Sequence, residues 1–156
     1  MSERREYPER PVVGVGGVVI RDGRVLLVRR GSEPLKGQWS IPGGTLELGE
    51  TIAEGVAREL REETGLDVRV VDLIEVFERI FPGQGRPQYH FVILDYLCEA
   101  PNGTPQPGSD VTDVAFASEE ELARYNLTPT ATRVIQSAFR MARRRQSSSI
   151  SGDQSS

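Results

Sequence analysis

Residues Gly43 to Val68, reading GGTLELGETIAEGVARELREETGLDV, constrain this chain more tightly than any other stretch. Between Thr51 and Thr64 the apolar residues Ile52, Ala53, Val56, Ala57 and Leu60 recur at three- and four-residue steps, the period of an amphipathic helix. Thr51 with Glu54 three residues later reads as a capping box at the start of that helix, and Gly65 as the left-handed residue that stops it. At about 100° per residue, Glu59, Glu62 and Glu63 gather on one side, at the border of the apolar stripe. Helix stability does not favour this. Like charges at such spacings cost roughly a few tenths of a kcal/mol per pair, and carboxylates near a helix C-terminus oppose the macrodipole. A hard cation would offset both costs. Clustered carboxylate oxygens suit Mg²⁺ or Mn²⁺, and Mg²⁺ takes one or two protein carboxylates together with waters and a substrate phosphate. A merely solvated acidic face is the other reading of the same residues. Gly55 projects among the glutamates, where glycine costs about 1 kcal/mol relative to alanine. It is either clearance for a phosphate or hydrated metal, or a tolerated accident.

The spacing separates the cation from the solvated face. Gly44, Glu50, Arg58, Glu59, Leu60, Glu62, Glu63, Gly65 and Leu66 fill all nine specified positions of G-x5-E-x7-R-E-L-x-E-E-x-G-L over 23 residues. This segment resembles the Nudix box, the signature of Nudix pyrophosphohydrolases, and LKGQWSIPGG is similar to the family's approach to the box. The resemblance implies an α/β fold with a mixed β-sheet sandwiched between helices. It implies that Glu59, Glu62 and Glu63 hold metal together with the Gly44 carbonyl, that Glu50 supports them, and that Arg58 braces the glutamates. The family commonly supplies one further carboxylate from a loop outside the box, here Asp110 or Asp113. By resemblance the general base is Glu62 or a carboxylate of the Asp110 to Asp113 region, and that choice stays open.

At 156 residues, with 37% hydrophobic and 27% charged content, the chain has the size of one domain with a single core. A formal net charge of -4 gives no general basic field for duplex nucleic acid, so an anionic substrate has to be held locally by metal ions and individual arginines. The one cysteine, Cys98, lies in an apolar strand-like run and reads as a buried, inert thiol. With only one histidine beside it, a zinc cluster of the usual kind is excluded. No apolar run reaches the roughly 20 residues that span a bilayer, and MSERREYPER has no hydrophobic signal core. A soluble, cytoplasmic protein is the expectation.

Residues 1–10 read as a loose arm, 11–143 as the single domain, and the Ser-rich residues 144–156 as a disordered tail. Val12 to Ile20 and Arg24 to Arg30 read as strands joined by an Asp22-Gly23 turn, followed after the box by strands over Asp67 to Glu78, Gln88 to Glu99 and Asp110 to Ala117. Trp39 reads as a core anchor, His90 as an ordinary strand position, and Asn102-Gly103 as a reversal. Ser118 caps a short helix, and Thr128-Pro129 starts the final helix, which is predicted to run through about Arg145. Candidate substrate contacts are Arg29 and Arg30 at a strand end, Phe81 and Tyr89 for stacking on a base, and Arg79 or Arg86 for a phosphate. The Gly- and Pro-rich loop from Arg79 to Gln88 is either a disordered tip or a substrate-facing lid.

Across Tyr7 to Arg143, the arrangement RPVVGVGGVVI, LLVRRGSEPLKGQWSIPGG and YHFVILDYLCE is most similar to bacterial proteins grouped with ADP-ribose pyrophosphatases. The implied activity is metal-dependent hydrolysis of the diphosphate in a nucleoside diphosphate linked to another moiety, such as ADP-ribose to AMP and ribose 5-phosphate. The alternatives are a nucleoside triphosphate pyrophosphatase that cleans the nucleotide pool, and a module that binds a nucleotide sugar without cleaving it. Many family members pair as homodimers, so a second copy is the implied partner besides the small-molecule substrate. Duplex nucleic acid and membranes are not expected partners.

Overall fold

The computed structural model describes residues 5–153. Asp22 and Gly23 both take positive φ, 52° and 73°, as a two-residue turn matched to strand twist requires, and β1 (Val12–Arg21) folds back directly into β2 (Arg24–Arg30). β3 (Trp39–Ser40) pairs antiparallel with β2, and β4 (Gly43–Thr45) pairs antiparallel with β1. Helix α1 (Ile52–Thr64) leads to β5 (Arg69–Phe81), which crosses two bulges in pairing antiparallel with β6 (Tyr89–Glu99). β6 lies parallel to β1, and β7 (Val111–Ser118) returns antiparallel to β2. The seven strands make one mixed network, as the resemblance implies. A 3₁₀ turn, Glu119–Tyr125, and helix α2 (Pro129–Asp153) complete the chain.

Burial follows the two-residue strand period. Val15 and Val19 of β1 and Leu26 of β2 share a core with Val56 and Leu60 of α1, whereas Val18, Val25 and Leu27 share one with Val134, Ile135 and Ala138 of α2. Each fully buried leucine or isoleucine stabilises the fold by roughly 1.5–3 kcal/mol, so helices on both faces secure the strands that carry the site. Trp39 packs on the second core, edge-on to Tyr125 at 5.1 Å between ring centroids. At the entry to the 3₁₀ turn, the Ser118 N–H donates to Glu121 Oε1 at 2.9 Å. Among the described residues, no helix is long and apolar enough to cross a membrane.

Cys98 lies against α1, and burial pushes its thiol up to about 12. The native protein is therefore expected to leave a thiol reagent unreacted at pH 8 and to consume one equivalent once denatured; fast labelling of the native form would contradict this packing.

Three expectations differ from the structure. The arm is held: the Tyr7 N–H donates to the Gln88 carbonyl at 2.7 Å, Arg86 lies over the Tyr7 ring at 5.3 Å, and Arg5 over Phe91 at 5.8 Å. Two arginines and a tyrosine give this polar segment partners that its composition conceals; residues 1–4 lie outside the described residues. The Gly- and Pro-rich loop is the exposed end of the β5–β6 hairpin, closed at its base by the Gln88 N–H on the Phe81 carbonyl at 2.8 Å, and its residues 82–87 line neither cavity described below. Finally, α2 continues through residues 144–153 of the expected disordered tail to Asp153; residues 154–156 lie outside the described residues. Arginine and glutamine are good helix formers, and no proline or glycine intervenes before Gly152.

Candidate active site

Gly65 stops α1 as expected, while of the expected capping box only the Thr51 half forms among the described residues. Thr51 Oγ1 accepts the Glu54 N–H at 3.1 Å, and Gly65, at φ 76°, donates its N–H to the Arg61 carbonyl at 2.9 Å. The segment after β6 then crosses the helix end. N–H groups of Gln106, Gly108 and Ser109 donate to the carbonyls of Thr64, Glu63 and Glu62 at 2.9, 2.9 and 3.0 Å. These satisfy carbonyls that a helix terminus leaves unpaired, and they deliver Asp110 to the acidic face of α1.

Arg58 is the hub of that face. Its Nε and Nη2 grip the two oxygens of Glu50 at 2.6 and 2.9 Å, its Nη1 donates to Glu59 Oε1 at 2.8 Å and Glu62 Oε2 at 3.2 Å, and Nη2 also reaches the Thr45 carbonyl at 3.0 Å. The fork holds the Glu50 carboxyl below its ordinary range and raises the guanidinium's own affinity for its proton. Glu50 is thereby committed to bracing.

The three box glutamates stand in different surroundings. Glu59 is 9% exposed, and burial raises its carboxyl although Arg58 opposes the shift. Glu63 is pushed up to about 8, chiefly by burial, even with the Gly43 N–H donated to its Oε1 at 2.9 Å. Glu62 is exposed. A Cβ on Gly44 would lie 2.4 Å from Glu59 Oε2, so glycine is what lets the β4 backbone pass this close to a carboxylate. Gly55 does something other than either reading offered from the sequence. A Cβ there would lie 2.6 Å from Leu46 Cδ1 and 3.1 Å from Glu50 Oε1, so its clearance admits protein atoms rather than phosphate or hydrated metal.

Glu59, Glu62, Glu63 and Asp110 line one cavity of about 260 Å³ with Arg58, Arg30 and the backbone of Gly43 and Gly44. In kind, this all-oxygen donor set fits a hard divalent cation. In arrangement, no group of three or more His, Cys, Asp or Glu side chains among the described residues is yet positioned to hold an ion. Arg58 and the Gly43 N–H each take an oxygen, but Glu59 Oε2, Glu62 Oε1 and Glu63 Oε2 keep no hydrogen-bond partner among the described residues. The Asp110 carboxylate, on the same cavity, likewise accepts no hydrogen bond among the described residues.

A second cavity, of about 130 Å³, shares Arg5, Arg30, Ile41 and residues Gly43 to Thr45 with the first. Phe77, Phe81, Phe91 and Ile93 supply apolar walls, and Asp95 and Arg79 supply charge.

Of the substrate contacts proposed from sequence, Arg30, Arg79 and Phe81 line these cavities, while Arg29, Arg86 and Tyr89 do not. Arg29 points to the Gly37 carbonyl and to Asp113, 3.7 Å away, which leaves Asp113 outside the cleft as well. Arg86 covers Tyr7, and Tyr89 is buried between Phe81 and Phe91. Arg5, Phe77 and Asp95 were not singled out. For Asp95 the signal was present: it is a lone carboxylate inside YHFVILDYLCE.

A family model, the NUDIX domain, matches residues 10–138. The chain is 36% identical over 138 residues to a MutT-like protein of Streptomyces ambofaciens, covering 86% of this chain and 83% of that protein. It is 35% identical over 106 residues to an ADP-ribose pyrophosphatase of Methanocaldococcus jannaschii, covering 68% of this chain and 61% of that protein. The crystal structure of a MutT NUDIX hydrolase from Burkholderia pseudomallei superposes with a TM-score of 0.72 at 30% identity, over 83% of this chain and 98% of that one. With most of its length matched and the box residues gathered on one cleft, the chain belongs to the NUDIX domain family, the Nudix hydrolases.

Proposed function

We propose that this Nudix hydrolase cleaves the diphosphate of a nucleoside diphosphate joined to a second moiety, ADP-ribose foremost, to give AMP and ribose 5-phosphate. The observation that carries the reading is the pair of cavities meeting at β4, one lined by carboxylates and the other walled by aromatic rings, with Arg5 and Arg30 common to both. A diphosphate laid across β4 would face the glutamates while its nucleoside fills the aromatic pocket. The name of the Methanocaldococcus jannaschii relative points the same way.

Glu59, Glu62 and Glu63, with the Gly44 backbone, would hold Mg²⁺ or Mn²⁺, which when bound supplies charge neutralisation to the diphosphate. Arg58 keeps Glu59 and Glu62 oriented, and Arg30 offers positive charge where the cavities join. Water attacks one phosphorus, its proton passes to Glu62 or Asp110, and the bridging P–O bond breaks to release the second monophosphate.

The test is product analysis with ADP-ribose, other nucleotide sugars, dinucleoside polyphosphates and nucleoside triphosphates, in Mg²⁺ or Mn²⁺ and in chelator. AMP and ribose 5-phosphate are expected from ADP-ribose, and their release is expected to stop with chelator. Preferential conversion of triphosphates to monophosphate and pyrophosphate would replace this reading with nucleotide-pool cleaning, and binding without turnover would make the protein a sensor.

A further inference from the structure

Asp95 sits midway along β6, in register with Gly16 of β1 on one side and Glu75 of β5 on the other. The residue is 5% exposed and its carboxylate accepts no hydrogen bond among the described residues; because no side-chain oxygen fully shut off from solvent there lacks a partner, the carboxylate keeps contact with the cavity it lines. A carboxylate set this deep, without a protein donor and open only to a cavity, is placed to accept a hydrogen bond from a ligand there. The two charged neighbours do not supply one. Glu75 is paired with Arg133 of α2, and Arg79, lying 5.5 Å over the Phe81 ring, forms no salt bridge with Asp95 among the described residues. The space for the carboxylate is built into β1, since a Cβ on Gly16 would lie 2.4 Å from Asp95 Oδ1. Asp95 and Arg79 line the same cavity, whose apolar walls include Phe77, Phe81 and Ile93. Burial, reinforced by Glu75 and opposed by Arg79, pushes the Asp95 carboxyl up to about 7, so a bound donor would favour its ionised form.

We propose that the Asp95 carboxylate is the specificity-determining acceptor of the aromatic pocket and binds the exocyclic amine of a purine base held between its apolar walls. This rests on the reading above in taking the occupant to be a nucleotide. The chemistry is complementary: a base offers two flat faces to aromatic walls and an amine edge to a buried acceptor. A hydrogen bond to a charged group is worth about tenfold or more in affinity, and a ligand lacking the donor leaves the carboxylate buried and unmatched.

The experiment is equilibrium binding of AMP and of nebularine 5′-monophosphate, which carries hydrogen in place of the 6-amino group, measured by calorimetry on the full chain. The wild type is expected to bind AMP about tenfold or more tightly than the analogue. Asp95→Leu, which keeps the branched shape without acceptors, is expected to bring the two affinities within about twofold, with Asp95→Ala as a smaller second variant and circular dichroism confirming the fold. Equal affinity of the wild type for both ligands, or an unchanged preference in a folded variant, would overturn the proposal. Because binding requires no turnover, failure of the proposed hydrolysis and failure of this inference are separate results, and the wild-type comparison stands if a variant does not fold.

Discussion

Glu62→Gln and Glu63→Gln are each expected to lower turnover by roughly 10²–10⁴-fold while leaving the fold intact. The amide is isosteric with the carboxyl, so a glutamine at 63 can still accept the Gly43 N–H now held at 2.9 Å, and one at 62 can still accept from Arg58. What both lose is the capacity to carry a negative charge onto the cavity where a metal would bind. An apolar replacement would confuse this loss with repacking; glutamine isolates it. The check is kcat with saturating Mg²⁺, alongside thermal unfolding. Near-wild-type rates in either variant would remove that glutamate from the proposed machinery, and a collapse in Tm would make the loss structural.

Arg58→Lys tests the brace rather than the chemistry. Arginine serves Glu50, Glu59, Glu62 and the Thr45 carbonyl at once through a planar fork, whereas an ammonium on a flexible stem cannot span them. Losing an orienting partner of this type costs 10–100-fold in metal affinity or activity. Stability should fall by about 1–3 kcal/mol, less than for a fully buried pair because the Arg58 side chain is 21% exposed. The fall should also depend on pH. Glu50 is held below its ordinary range by Arg58, so its contribution is present above the unfolded carboxyl's pKa and fades as pH drops through the folded value. The variant should therefore show a flatter acid limb in its stability-against-pH curve. An unchanged limb with unchanged activity would mean the fork is decorative.

What could be read from the sequence is what local geometry determines. The helix of the box, its Thr51 and Gly65 ends, the convergence of Glu59, Glu62 and Glu63 and the Asp22-Gly23 hairpin all follow from residue type and spacing within a few positions. The rest depends on what lies across the fold. Arg29 and Arg30 point to opposite faces because strands alternate, but which face meets the cleft is decided by β7 and β3, distant in sequence. Asp110 and Asp113 could not be separated without the path of the preceding segment. Gly55, expected among the three glutamates, instead meets Leu46, Glu50 and Val15, which come to the helix from the loop before it and from β1. Asp95 stayed hidden because strand patterning treats one polar residue in an apolar run as noise, until Gly16 and the cavity give it a place.

The crossing of residues 106–109 under α1 sets the terms on which this part of the protein can evolve. Its three anchoring donors are peptide N–H groups. Gly108 cannot be replaced without moving the backbone, because a Cβ there would lie 1.9 Å from the Glu62 carbonyl oxygen, but the grip itself asks nothing of the side chains of Gln106 and Ser109. Its length has no such freedom. A one-residue insertion between Gln106 and Asp110 would break the pairing to successive carbonyls and carry the acidic residue out of the cleft. The constraint lies in the count of residues and in the one glycine that lets the segment lie against the helix end, and the letters around them carry little of it.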